Sequence, residues 1–271
     1  MTTSEYSNHV KKFFTLYNTF LTVDSIASLS EKGRYRGIIN QFLKYFKYLI
    51  QKDIKNIDKN IAITKTMLKN YISSNKDFYL EKYTSAKLTI NPNITIQVNK
   101  NINDSFQEFL NAAEIYDLHR KSLELIDITN IYKRNALDYH LTAFTREQVK
   151  EEEVLELLDT CIASKSIKKI TMLKQSLMEF NNAISHINTA LKRKEPIKNF
   201  ERAAQHLNRG TLDFYKSVIK ELFILEKLSP TDLVELKEIR FNEFETIGSN
   251  KYDDRKKLYS DYKKLCKKII S

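Results

Sequence analysis

Turn-forming residues are scarce in this chain: it has four glycines and three prolines in 271 residues. Sheets and loop-rich folds need such residues at their turns, so their scarcity argues for long helices joined by few connections. Only two cysteines are present, Cys161 and Cys266, far apart and without a C-x-x-C neighbour. That excludes a disulfide framework and reads as two reduced thiols of a cytosolic protein. No window approaches the roughly 18 apolar residues of a membrane span. The opening MTTSEYSNHVKKFF has no signal-peptide apolar region. The expected location is therefore the cytoplasm, with no membrane partner.

Several chemistries are missing as well. Gly33 and Gly37 are the only close pair of glycines, which leaves no phosphate-binding loop. There is no G-x-S-x-G elbow and no H-E-x-x-H. The five histidines (His9, His119, His140, His186 and His206) stand singly. A metal site would need distant residues to converge in a demanding geometry, so no metal and no cofactor are expected. Glu152, Glu156 and Asp159 share a helical face, but an acidic opening suits the positive end of a helix dipole and reads as solvated.

Charge is abundant. Lys and Arg number 45 against 34 Asp and Glu, a formal net charge of +11. Such a balance favours polyanionic partners such as nucleic acid, anionic lipid or an acidic protein surface, and does not choose among them. Lysines outnumber arginines 35 to ten. Base edges are read best by the bidentate arginine fork, whereas lysine acts as a point charge. Any nucleic-acid contact is thus expected to be directed at the backbone.

Apolar residues recur at three and four along most of the chain, the signature of amphipathic helices. Val10, Phe13, Phe14, Tyr17, Phe20 and Leu21 open the series. From Arg34 to Tyr71 the rhythm implies one very long helix, or two with a bend near Gln51–Asp53. The stretch LTINPNITIQVNKN (88–101) departs from it, with a turn signal at Asn91-Pro92-Asn93 and period-two alternation after it. It reads as a short β-hairpin or an extended linker between an N-terminal helical part (1–87) and a C-terminal bundle (102–271), unless the chain is one continuous domain. Ser105 and Glu108 have capping-box spacing. Phe200, Ala203, Leu207, Thr211, Phe214, Val218, Leu222 and Leu225 make the strongest helix. Ser229-Pro230-Thr231-Asp232 starts another, carrying Leu233, Leu236, Phe244 and Ile247 toward a stop at Gly248. The last helix carries Tyr252, Tyr259, Tyr262, Leu265 and Ile269. The expected fold is all-α: seven to nine helices, several of them long, packed antiparallel in a bundle.

One short stretch carries nameable catalytic residues. IYKRNALDYHLTAF (131–144) resembles the active-site signature of the HEPN superfamily, helical bundles that are often dimeric and include ribonuclease toxins and phage-defence effectors. Arg134, Asn135 and His140 match its Arg, following polar residue and later His. The resemblance implies that Arg134 stabilises charge on the scissile phosphate. It implies His140 as general acid or base and Asn135 as its orienting partner. Cleavage by the 2′-hydroxyl needs proton transfer and charge stabilisation and no metal. The same residues also read as ordinary parts of a helix, with Arg134 paired to Asp138 at i,i+4.

Three basic segments form the other lead. Residues 31–73 carry ten Lys and Arg against three acids, residues 251–271 eight against three, and residues 162–200 eight against two. Arg34, Arg36, Lys44 and Lys47 in the first, and Arg255, Lys256, Lys257, Lys263 and Lys264 in the last, are candidate phosphate contacts. The interleaved Tyr252, Tyr259 and Tyr262 could stack bases or belong to the core. The leading expectation is a non-catalytic basic interaction subunit of a cytoplasmic complex, with a protein partner or a homodimer and nucleic acid as a backbone-directed ligand. The alternatives are a HEPN-like metal-independent ribonuclease and a structural helical scaffold.

Overall fold

Eight α-helices, and no strand, make up almost all of the described residues. The computed structural model describes residues 3–27, 36–78, 100–123, 173–192, 196–246 and 252–270. In chain order the helices are α1 (Thr3–Ala27), α2 (Arg36–Gln51), α3 (Ile54–Ser74), α4 (Lys100–Leu123), α5 (Lys174–Lys192), α6 (Ile197–Ile224), α7 (Pro230–Thr246) and α8 (Tyr252–Ile270). The protein is all-α, and its helices pack as a bundle. The stretch expected to be hairpin or linker lies outside the described residues, apart from Lys100 and Asn101, which open α4.

The chain divides into two compact units. The first comprises residues 1–107 and 174–210, the second 108–173 and 211–271. In the first, α1 buries the stripe its spacing dictates: Val10, Phe13, Phe14, Tyr17 and Phe20. Phe13 meets Phe42, Tyr45 and Phe46 at centroid distances of 5.6, 4.9 and 5.5 Å. Phe46 continues the contact to Phe106 at 5.0 Å, and Phe106 to Phe180 at 6.3 Å. Burying such a ring contributes about 2–3 kcal/mol by area alone. Polar pairs add register to this core: the Tyr17 hydroxyl donates to Asn181 O at 2.9 Å, and Gln41 Nε2 donates to Asn60 Oδ1 at 2.8 Å.

The long pattern from 34 to 71 resolves into two helices with the bend where Gln51–Asp53 suggested. Lys52 takes a left-handed backbone (φ 56°). Its N–H donates to Leu49 O, and that of Asp53 to Tyr48 O, the Schellman termination that usually employs glycine. Asp53 then caps α3 by accepting from Asn56 N at 3.2 Å. The end of α6 repeats the device with Glu226 (φ 55°), where Lys227 N–H donates to Leu222 O. Glycine, by contrast, appears inside helices. Gly210 of α6 lets α5 approach closely, and Ser176 Oγ donates to its carbonyl at 3.0 Å.

In the second unit Phe109 and Tyr116 of α4 pack on Phe214 of α6. Cys266 of α8 is a free, buried thiol, its ionisation pushed up to about 12 by burial. Two expectations need correction here. Ser105 does not cap α4, because the helix begins at Lys100 and places Ser105 in its second turn, buried. Fully buried Ile102 extends the stripe Phe106–Phe109–Ala113–Tyr116 toward the N-terminus and holds that earlier turn. The start of α7 is as expected: Asp232 N–H donates to Ser229 Oγ at 3.2 Å, and Ser229 N–H to Asp232 Oδ2 at 2.9 Å. Its apolar stripe is not. Phe244 is 65% exposed, while the buried residues of α7 are Asp232, Ile239 and Glu243. The inward carboxylates meet cations: Glu243 is paired with Lys216 of α6, and Asp232 with Lys268 of α8 at 2.7 Å. Those pairs set the rotation of α7 and turn its phenylalanines outward.

Candidate nucleic-acid interface

The first basic segment forms the α2–α3 hairpin, in which Gln41 of α2 reaches Asn60 and Thr64 of α3. Its inward face is filled by Ile38, Ile39, Phe42, Ile57, Ile61, Leu68 and Tyr71, all buried. The lysines are left outside by the same periodicity. Lys44 and Lys47 on α2 are exposed, as are Lys55, Lys59, Lys65 and Lys69 on α3. Among the described residues none of the six is in an ion pair. At about 100° per residue the four on α3 fall within an arc of about 120°. Arg36 opens α2, and Arg34 lies outside the described residues.

The last basic segment is different. Lys256, Lys257 and Lys264 of α8 are exposed, and Arg255 and Lys263 are half-buried. Part of the positive charge of α8 is already engaged, however. Lys268 pairs with Asp232 at 2.7 Å and Glu235 at 3.2 Å, and neither Arg255 nor Lys256 is free. Lys268 and two hydrogen bonds from Ser229 hold the Asp232 carboxyl down at about 2. Tyr259 and Tyr262 are buried and closed to a stacking base. Tyr262 instead donates to Glu243 Oε2 at 2.6 Å.

A third group escaped the sequence reading. The rings of His186 on α5 and His206 on α6 stack at 5.2 Å with planes 18° apart. His206 Nδ1 lies 2.5 Å from Glu179 Oε2, and His186 Nδ1 lies 3.2 Å from Asn199 Oδ1. Both partners accept, so each Nδ1 carries a hydrogen. Burial, ahead of the neighbouring positive groups, pushes His186 below its ordinary range, against the hydrogen bond it donates to Asn199. Lys198, Arg202 and Arg209 lie on the same face of α6 as His206, exposed and in no ion pair among the described residues. The signal in the sequence was the i, i+4, i+8, i+11 spacing of these four cationic or titratable residues.

Arg134, Asn135 and His140, together with Glu152, Glu156, Asp159 and Cys161, lie outside the described residues. Among the described residues no group of three or more His, Cys, Asp or Glu side chains is placed to hold a metal ion. No described helix is long and apolar enough to cross a membrane. What the geometry offers is an array of exposed lysines on α2 and α3, in no ion pair among the described residues. A scan against protein-family models, a search of curated proteins and a search of solved structures each returned no match.

Proposed function

We propose that this protein is a non-catalytic helical interaction subunit, working in a cytoplasmic complex, whose basic surface holds the phosphate backbone of nucleic acid. The observation that supports it is the set of six exposed, unpaired lysines on α2 and α3. Lysines in no ion pair keep most of their field for an external polyanion. From Lys55 to Lys69 the helix runs about 21 Å, the length of roughly six phosphates along one strand of a duplex. Point charges on a helix read no base edges, so binding is indifferent to sequence.

The test is retention of a labelled RNA and a labelled DNA duplex across a salt series. Six phosphate contacts give a log–log slope of about −4 on single strands and −5 on duplex. Lys55→Glu with Lys59→Glu lowers that slope by about two, with an unchanged helical circular-dichroism spectrum. No retention at low salt removes nucleic acid as the ligand and leaves an acidic protein surface as the polyanion these lysines face.

A further inference from the structure

Helix α7 is amphipathic in the reverse sense. Its buried positions are Asp232, Ile239 and Glu243, whereas Val234, Phe241 and Phe244 are 57, 66 and 65% exposed. The inversion is built in. Glu243 holds Lys216, Arg240 (2.6 Å) and the Tyr262 hydroxyl (2.6 Å). Rotating α7 to bury its phenylalanines would strand these charges. Arg240 also lies over the Phe244 ring at 5.9 Å and holds it on the outer face. At 100° per residue Val234, Lys237, Glu238, Phe241, Phe244 and Glu245 share that face. Lys237, Glu238 and Glu245 are exposed and in no ion pair among the described residues. Apolar residues gathered on one exposed face, with charges around them, are the usual mark of an association surface.

The order of charges says what fits. Lys237 stands four residues before Phe241 and Glu245 four residues after it. In a two-fold contact each residue meets its symmetry partner reciprocally. We propose that a second copy of this chain packs antiparallel on α7, about a two-fold axis at Phe241. The two Phe241 rings then meet on the axis. Lys237 of each copy faces Glu245 of the other, about 6 Å along the helix on either side. Phe244 of each copy lies over the aliphatic part of Lys237 of the other. Mixed charge in this self-complementary order suits a homotypic contact. It repels a polyanion at the two glutamates, and the proposal does not rest on the function proposed for the lysines of α2 and α3.

The test is the molar mass of the full chain by light scattering across a concentration series. The expected result is a doubling of mass that Phe241→Glu with Phe244→Glu abolishes, leaving the urea midpoint unchanged when it is compared at a concentration where the native chain is monomeric, because both rings are exposed on the single chain. Lys237→Glu and Glu245→Lys each weaken association by about ten-fold, and the two together restore it. A monomer at every concentration overturns the proposal. So does a dimer indifferent to the phenylalanine changes, or one that the double charge reversal does not rescue. A monomer in which Phe241→Glu with Phe244→Glu lowers the urea midpoint would mean that another part of the same chain covers this face.

Discussion

Tyr215 and Tyr262 stack with ring centroids 6.1 Å apart and planes within 6° of each other, yet their hydroxyls meet opposite fates. The Tyr262 hydroxyl donates to Glu243 Oε2 at 2.6 Å, whereas that of Tyr215 is buried with no hydrogen-bond partner among the described residues. Burial raises the ionisation of both above the ordinary tyrosine range. A made hydrogen bond to a charged group contributes about 1.5–3 kcal/mol, and an unmade one costs about 1–3 kcal/mol. Tyr262→Phe should therefore lower unfolding free energy by about 2 kcal/mol, while Tyr215→Phe should leave it unchanged or raise it by about 1 kcal/mol. Urea unfolding of the two variants checks the opposite signs; equal losses would show that both hydroxyls are satisfied.

Protonation of His186 should weaken the fold. Its folded value lies below the unfolded one, chiefly because burial disfavours the imidazolium, with His206 and Arg202 adding repulsion. For a basic group lowered in this way the unfolded chain takes up the proton first. Stability is then retained above the unfolded value near 6.5 and declines as pH falls below it. The urea midpoint should drop between pH 7.5 and 5.5 by more in the native chain than in His186→Gln, which keeps a donor for Asn199. Equal drops would place the sensitivity elsewhere.

Much of this fold was legible. In α6 every inward position from Phe200 to Leu222 is apolar or small, so the three-four rhythm specified the helix and its buried face together. The bend at Lys52 was legible only as an alternative, because a lysine stands where the left-handed turn ordinarily announces itself with glycine. The face of α7 was not legible at all. Its orientation is set by carboxylates whose partners, Lys216 and Tyr262, lie 27 and 19 residues away in other helices. For the candidate interface, Lys44 and Lys47 stood out as part of a charge run, and folding left them exposed. The His186–His206 stack arises from the antiparallel register of α5 on α6, where Ser176 meets Gly210, Glu179 meets His206 and His186 meets Asn199. Spacing within one helix cannot reveal a pair made across two.

Glycine should stabilise a turn that lacks it. Glu226 holds φ at 55° as the left-handed residue closing α6, and its side chain is exposed. A residue with a Cβ pays about 1 kcal/mol or more in that conformation, and glycine does not. Glu226→Gly should raise the unfolding free energy by about 1 kcal/mol, somewhat offset by the freer unfolded chain. Lys52→Gly should gain less, because Lys52 also lies over the Tyr6 ring at 5.8 Å, a contact of about 0.5–1 kcal/mol at an exposed site. Thermal or urea unfolding of both variants tests the ranking, and a larger gain at position 52 would contradict it.

The non-catalytic reading and the HEPN resemblance diverge on one measurement. A metal-independent ribonuclease of that kind would use His140 for proton transfer and Arg134 for phosphate charge. It would therefore cut RNA in the presence of EDTA and lose that activity in His140→Ala and in Arg134→Ala alike. A basic binding subunit would protect or merely retain the same RNA. Labelled single-stranded RNA incubated with excess protein in EDTA should remain full-length, with the native chain, His140→Ala and Arg134→Ala giving identical gels. Retention at low salt should likewise survive both substitutions, because the six lysines that support binding are on α2 and α3. Cleavage by the native chain that disappears in both variants would replace the binding reading with the ribonuclease one. Cleavage that persists equally in both variants would trace to neither residue and would point to a contaminating nuclease.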